Sequence, residues 1–340
     1  MKKIFLAIIL TLILSSAAFS EQEKILDNYI FRLSDKVTRT PVKFKTRFGI
    51  ILAGDLYVAK DLDLSHKHSA VVIGAPYGGV KEQSPGIYAQ VLAENGFVAL
   101  TFDASYNGYS SGQPRHLSSP ELFAEDFSAG VDFLGTRDFV DREKIAAIGI
   151  CGSGGFALSA AAMDVRIKSV ITVSMYDISR VIRKGWLDNA DSKQERDKIR
   201  EQAAIQRWAE AEGNNPAMTT RGANLEIDFE HDAIGSEFGE FYSRPRGYHH
   251  NSIAQFTFTS LPSWMNFQLL DLVSEITPRH ILLIIGENAH SRYFSEDIYK
   301  AASEPKELFV VPDATHVDLY DNLEKIPFGK IIKFLHENLE

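Results

Sequence analysis

The side chains best suited to chemistry lie in a glycine-rich turn between an apolar run and an alanine-rich segment. Residues 144–163 read KIAAIGICGSGGFALSAAAM, in which a β-type run over 145–150 breaks at the turn and continues as a predicted helix. Such a strand–turn–helix unit lifts one side chain above the sheet edge and points helix N-terminal N–H groups at it. The pattern therefore predicts a nucleophile elbow.

Two residues of this turn could be the nucleophile. With Cys151 at the apex, the small flanking residues are Gly149 and Ser153. An apolar strand that ends at Ile150 favours Cys151, because the turn should follow the strand immediately. The alternative, Ser153, would require the strand to run through Gly152, a residue type that weakens strands.

Composition limits the classes of function. The chain has 340 residues, enough for one large α/β domain with an insertion, and a net charge of -9 without long basic runs argues against nucleic acid binding. The single cysteine excludes an intramolecular disulfide, and its place in the turn favours a working thiol. There is no P-loop, HExxH motif or Cys/His cluster, so the sequence implies no cofactor and no metal.

The first twenty residues, MKKIFLAIILTLILSSAAFS, have the pattern of a secretory signal. Lys2 and Lys3 precede a short apolar run, and small residues lead to a cleavage point near residues 18–20. The apolar run is short for a membrane span. We expect an exported protein, periplasmic or secreted, with no stable membrane insertion after signal cleavage.

Strand and helix patterns alternate along most of the remaining chain. Strands are predicted at 42–58 (two segments, broken at Gly49 or Gly54), 69–75, 97–103, 145–150, 168–174, 280–286 and 307–312, and helices at 84–95, 120–135, 190–212, 295–303 and 328–339. This alternation predicts an α/β fold with a mostly parallel sheet and helices on both faces. The charged and aromatic stretch 180–265 predicts a lid between strands six and seven, leaving 21–179 and 266–340 as the core.

Three motifs follow one another along the chain: FDASYNGYSSG at 102–112, GICGSGG at the elbow and PDATHVDLYD at 312–321. Together they resemble motifs of the α/β-hydrolase superfamily. The chain is most similar to a branch of uncharacterised bacterial hydrolases and fungal polyketide transferases, with which it shares GxCGxGG and the GExAHSxYFSED stretch at 286–297. Its similarity to dienelactone hydrolases, which also use an elbow cysteine, is looser.

The resemblance implies partners for the nucleophile. His316 follows the last predicted strand, where the superfamily has its catalytic histidine. The usual place of the acid is occupied by Ala289, so Glu287 is the preferred acid and Asp177, after the sixth strand, is the alternative. We expect a nearby imidazole and the helix N-terminus to lower the thiol pKa of Cys151.

An oxyanion hole requires two donors aimed at the developing negative charge. The backbone N–H of Gly152 is one, and Tyr77 supplies the other through its backbone N–H or its phenol. Tyr106, Tyr176 and His290 are predicted to line the pocket, and His290 also competes with His316 as the base.

Together these residues predict an exported hydrolase that cleaves ester, lactone or thioester bonds of a small-molecule acyl substrate. Cys151 would form a covalent acyl-enzyme, and His316 would protonate the leaving group and then activate water. Two alternatives stay open. One is an acyltransferase on the same site, and the other is a non-catalytic binding protein on a hydrolase scaffold, which the missing acid at position 289 would suit.

Overall fold

The computed structural model describes residues 28–223 and 225–339. The predicted signal segment, residues 1–20, lies outside the described residues. The strands are β1 (Val37–Lys45), β2 (Ile51–Ala59), β3 (His68–Gly74), β4 (Val98–Phe102), β5 (Val140–Ile150), β6 (Ser169–Val173), β7 (His280–Gly286) and β8 (Lys306–Val311). They form one sheet in the order β1-β2-β4-β3-β5-β6-β7-β8.

Pairing within this sheet is antiparallel at one end and parallel everywhere else. β2 pairs antiparallel with both β1 and β4, whereas the neighbours from β4 to β8 are all parallel. This confirms the predicted mostly parallel sheet. Gly49, at φ +85°, makes the turn between β1 and β2. Gly54 instead lies inside β2, where a Cβ would stand 2.7 Å from the Thr101 carbonyl oxygen.

Helices connect the parallel strands and fill the long segment between β6 and β7. They are α1 (Ser84–Glu94), α2 (Pro120–Gly135), α3 (Ser153–Met163), α4 (Ile178–Lys184), α5 (Lys193–Ala211), α6 (Ala233–Tyr242), α7 (Leu261–Asn266), α8 (Arg292–Ala301), α9 (Asp318–Asp321) and α10 (Phe328–Leu339). Helices α4 to α7 belong to that segment, whose separation from the core as a lid stays a prediction. Among the described residues, no helix is both long and apolar enough to cross a membrane.

The core lies along the central strands. All five residues of β4 and all five of β6 are buried, and β5 is buried from Ile145 to Ile150. Strands covered on both faces carry continuous apolar runs instead of alternating ones, which is why these segments could be recognised in the sequence. Each fully buried Val, Leu or Ile side chain contributes roughly 1.5–3 kcal/mol. This rigid centre holds the turn after β5.

Candidate active site

Cys151 stands at the sharp turn between β5 and α3. Its φ of +56° is in the left-handed region, a strained conformation for a residue with a Cβ. The strand and helix backbones nearly touch here, since a Cβ on Gly149 would lie 2.0 Å from the Ser153 carbonyl oxygen. Only glycine fits at that position, and the turn has the geometry of a nucleophile elbow.

Ser153, the alternative nucleophile, is the first residue of α3 and is buried. Its hydroxyl donates a hydrogen bond to the Ala75 carbonyl oxygen at the end of β3. The hydroxyl therefore joins α3 to the sheet, two residues beyond the apex of the turn.

Two backbone donors face the Cys151 sulfur. They are the N–H groups of Gly152 and Tyr77, the two residues whose role in an oxyanion hole stays a prediction. The Tyr77 phenol points elsewhere: its oxygen lies 2.7 Å from Ser118 Oγ, and its ring stacks on Phe256 with centroids 3.9 Å apart. Of the two groups that Tyr77 could offer, the backbone N–H is thus the one beside the thiol.

The protonation state of Cys151 differs from the expectation. Burial raises the pKa of the thiol to about 11, although the hydrogen bonds that the Tyr320 hydroxyl and the N–H groups of Gly152 and Tyr77 give to the ionised sulfur act in the opposite direction. The expected lowering of the pKa is therefore absent, because desolvation outweighs the three donors. A neutral thiol would need a base to remove its proton before it could act as a nucleophile.

His316 provides an imidazole that reaches the thiol through a tyrosine. Its Nε2 lies 3.0 Å from the Tyr320 hydroxyl, and that hydroxyl in turn hydrogen-bonds with the Cys151 sulfur. Its Nδ1 lies 2.6 Å from Ser291 Oγ. Burial and the neighbouring His290 hold the pKa of His316 well below the ordinary value, so the ring is neutral and able to accept a proton.

The two carboxylates proposed as the acid have other hydrogen-bond partners. Glu287 is exposed, and its side chain accepts a hydrogen bond of 3.1 Å from the Asp313 N–H. Asp177 caps α4 by accepting from the Arg180 N–H at 2.9 Å. The structure thus brings Cys151 and His316 together around Tyr320, whereas the group bonded to Nδ1 of His316 is a serine hydroxyl.

A second imidazole chain lies beside the first. His290 stacks on His316 with ring centroids 4.8 Å apart, and its Nε2 hydrogen-bonds with the Tyr176 hydroxyl. Its Nδ1 lies 3.1 Å from Glu237 Oε2 on α6. Sequence reasoning missed Glu237, which is far along the chain from both histidines. It also missed Tyr320, although Tyr320 lies one helical turn beyond His316.

A cavity of about 600 Å³ opens onto the thiol. Its wall is largely apolar and aromatic, and is formed by Tyr77, Cys151, Tyr176, Ile178, Val181, Ile182, Trp186, Thr219, Thr220, Arg221, Gly222, Asp232, Ile234, Gly235, Phe238, Tyr242, Ala254, Phe256, Leu261 and Tyr320. Both bridging tyrosines belong to this wall, and both imidazoles lie behind it. Tyr106 lies outside it and packs against Gly112. Within the described residues, no group of three His, Cys, Asp or Glu side chains is arranged to hold a metal ion.

Comparison with known proteins gives close relatives over most of the chain. The uncharacterised protein PA2218 of Pseudomonas aeruginosa is 50% identical over 312 residues, which are 91% of this chain and 83% of the relative. YcjY of Escherichia coli, also uncharacterised, is 33% identical over 273 residues, 80% of this chain and 89% of the relative. Thiohydrolase aneE of Aspergillus aculeatus is 33% identical over a shorter stretch, 41% of this chain and 42% of the relative. No protein-family model matches the sequence.

Solved structures give the same picture of the fold. The crystal structure of PA2218 superposes with a TM-score of 0.86 and 48% identity, covering 92% of this chain and 97% of that one. The α/β-hydrolase GrgF from Penicillium superposes with a TM-score of 0.74 and 22% identity, covering 89% of this chain and 99% of GrgF. The chain therefore belongs to the family of PA2218 and YcjY, and its fold is that of an α/β-hydrolase.

Proposed function

We propose that this protein is an ester-type hydrolase that uses Cys151 as a covalent nucleophile and cleaves esters, lactones or thioesters. The observation that carries the proposal is the convergence on one sulfur of two backbone N–H donors and a tyrosine hydrogen-bonded to a neutral imidazole. These are the parts that acyl transfer needs: a nucleophile, a base and an oxyanion hole.

In the first step the thiol attacks the substrate carbonyl carbon. The proton leaves Sγ for the Tyr320 oxygen while the Tyr320 proton passes to Nε2 of His316, so that neither residue has to be charged at rest. The carbonyl oxygen, now negative, accepts hydrogen bonds from the N–H groups of Gly152 and Tyr77. The proton on Nε2 of His316 then returns to the Tyr320 oxygen while the Tyr320 proton passes to the leaving group, and the tetrahedral intermediate collapses to a thioester on Cys151.

Ser291 is proposed to replace the usual carboxylate as the residue that orients His316. Its buried hydroxyl holds Nδ1 at 2.6 Å, which directs Nε2 towards Tyr320. A hydroxyl adds no negative charge, so the imidazole stays neutral until it receives the proton from the thiol. Neither Glu287 nor Asp177 has a role in this mechanism.

The cavity suits an acyl group that is mostly apolar. Its volume of about 600 Å³ lies in the range of sites for small molecules, and the wall around Cys151 is aromatic and aliphatic. The thiohydrolase name of one relative favours a thioester among the candidate substrates. The segment between β6 and β7 supplies much of this wall, which supports its proposed role as a lid.

Acyl transfer to an alcohol or amine is the second candidate. An apolar enclosure formed partly by the segment between β6 and β7 would exclude water and admit an organic acceptor. Product analysis with and without added alcohols or amines separates the two reactions. Export is also proposed, on the pattern of residues 1–20; N-terminal sequencing of the protein from cell fractions tests it.

The test of the nucleophile compares two variants at the elbow on chromogenic short-chain esters and thioesters. Cys151→Ala is expected to lower turnover by roughly 10⁴-fold or more, because no other group can form the acyl-enzyme. The matched control, Ser153→Ala, removes only the hydrogen bond to Ala75 and should keep activity within about 10-fold. Equal background rates for wild type and Cys151→Ala would favour the non-catalytic binding protein.

A further inference from the structure

The chain Glu237–His290–Tyr176 has no role in the first step of the proposed reaction, yet it ends at the cavity that Cys151 lines. Tyr176 lines the cavity together with Cys151, and its backbone N–H donates to the Cys151 carbonyl oxygen at 3.0 Å. Behind it, His290 and Glu237 continue the chain away from the cavity. Three separate parts of the fold supply these side chains: the end of β6, the loop after β7 and α6.

The carboxylate fixes the direction in which this chain can move a proton. Burial tends to raise the pKa of Glu237, but hydrogen bonds from His290, the Val317 N–H and the Thr315 hydroxyl outweigh it and hold the pKa below the ordinary value. An ionised carboxylate only accepts hydrogen bonds, so Nδ1 of His290 carries a hydrogen towards Glu237. In the neutral ring, Nε2 is then the acceptor, and it faces the hydroxyl of Tyr176.

This arrangement is that of a general base with a tyrosine at its end. The hydroxyl of Tyr176 can donate to His290, and its oxygen then has a lone pair free to accept a proton from a molecule in the cavity. The positive charge that would form on His290 lies 3.1 Å from Glu237 Oε2, so the carboxylate stabilises it. The chain through Tyr320 and His316 offers no such carboxylate.

We propose that Tyr176, His290 and Glu237 form a second acid–base chain, which activates the acceptor that removes the acyl group from Cys151. The inference rests on the proposed covalent mechanism. It assigns acylation of Cys151 to one imidazole and removal of the acyl group to the other. His316 serves the attack of the thiol and the departure of the first leaving group. His290 serves water, or an alcohol, in the second half.

The proton balance of the second half is complete within these residues. The acceptor oxygen forms a bond to the acyl carbon as its proton moves to the Tyr176 oxygen, while the Tyr176 proton moves to Nε2 of His290. The bond from sulfur to the acyl carbon then breaks, and the electron pair returns to the sulfur. The proton held by His290 travels back through Tyr176 to Sγ and restores the neutral thiol.

Glu237 also connects this chain to the first one. Its Oε1 accepts the Val317 N–H at 2.7 Å, directly after His316, while Oε2 faces His290. One side chain on α6 therefore contacts the loop of the first imidazole and the ring of the second. Glu237 acts through His290, so it is a positioning residue, whereas the oxygen of Tyr176 contacts the acceptor.

The experiment follows acylation and deacylation separately in the full-length enzyme. Wild type, Glu237→Gln and Tyr176→Phe are mixed with an activated thioester and quenched at intervals. Intact-protein mass spectrometry gives the acylated fraction, and the released thiol is recorded in parallel. Gln at position 237 can still accept from the Val317 N–H, and thermal unfolding verifies that each variant is folded. Glu240→Gln, a charge removal on the same helix, is the matched control.

We expect Glu237→Gln and Tyr176→Phe to release the first equivalent of thiol at a rate within about 3-fold of wild type. Both should then stall, with turnover lower by roughly 10²-fold and with Cys151 largely acylated. Hydroxylamine, a strong nucleophile that needs little base assistance, should restore release of the acyl group. Glu240→Gln should match wild type.

Acylation that slows in parallel with turnover, or acyl occupancy no higher than in wild type, would overturn the second chain while leaving Cys151 as the nucleophile. Turnover by wild type without any acyl adduct on Cys151 would overturn the covalent mechanism itself.

Discussion

His316 and His290 lie face to face with ring centroids 4.8 Å apart, each hydrogen-bonded through Nε2 to a tyrosine that lines the same cavity. They differ in the partner of Nδ1, which is a serine hydroxyl for His316 and a carboxylate for His290. They also differ in burial, since His316 is 0% exposed whereas the side chain of His290 keeps 13%.

This comparison shows how the partner decides what an imidazole can do. Placing a positive charge on His316 is costly because it is buried and only a hydroxyl faces Nδ1, so the ring suits a transient base beside a neutral thiol. His290 instead has the Glu237 carboxylate 3.1 Å from Nδ1, so a proton taken up by that ring would have an anion beside it. Two similar rings can thereby serve two halves of one reaction.

The largest effect is expected from replacing His316. His316→Gln can still hydrogen-bond to Ser291 and Tyr320 but cannot accept a proton, so kcat/KM should fall by roughly 10³–10⁴-fold. His290→Gln should leave kcat/KM within about 3-fold, because that constant reports acylation, and should lower kcat. Steady-state kinetics of the two variants measure the split. An equal loss of kcat/KM in both would remove the distinction between the rings.

The second effect concerns the resting thiol and its pH dependence. Because burial raises the pKa of Cys151 to about 11, the protonated form dominates below that pH and the thiolate fraction increases tenfold per pH unit. Alkylation of Cys151 by iodoacetamide should therefore become faster by roughly 500-fold between pH 8 and pH 11. Intact-mass measurement of the alkylated fraction gives the rates. A plateau around neutral pH would instead indicate a resting thiolate–imidazolium pair.

A smaller effect is expected from the phenol that joins the thiol to His316. Tyr320→Phe removes the hydroxyl between Sγ and Nε2, leaves the ring packing in place and should slow acylation by roughly 10²-fold. Stopped-flow release of the first thiol equivalent measures it. Tyr293→Phe removes a phenol that belongs to neither proton chain, from a ring that packs on Phe294, and is the control. An unchanged acylation rate in Tyr320→Phe would mean that His316 reaches the sulfur directly.

The sheet could be predicted because its strands carry long apolar runs bounded by turn residues. The predicted strand 280–286 coincides with β7. Strand β5 begins at Val140 rather than 145, and the prediction missed this start because residues 141–144 are all charged. The elbow could also be predicted, because the spacing of its glycines indicates where the backbones of the strand and the helix come close together. Helix α6 could not be predicted, because it lies in the irregular segment between β6 and β7.

The partners of the two imidazoles could not be read in the same way. A search for an acid after β7 finds Glu287, and nothing local distinguishes it from Ser291, four residues later, whose hydroxyl takes the position on His316. Glu237 reaches Val317 from 80 positions away, a contact that only the packing of α6 creates. The thiol pKa was misjudged because the turn suggests donors but not the degree of burial.

The most direct test of the central claim is to find the atom that carries the acyl group during turnover. Wild type is quenched while it consumes an activated thioester, digested, and mapped by tandem mass spectrometry. The account predicts that each acylated chain carries a single acyl group, attached to the sulfur of Cys151 and removed by hydroxylamine. Turnover with an unmodified Cys151, or an acyl group on Ser153 instead, would contradict it.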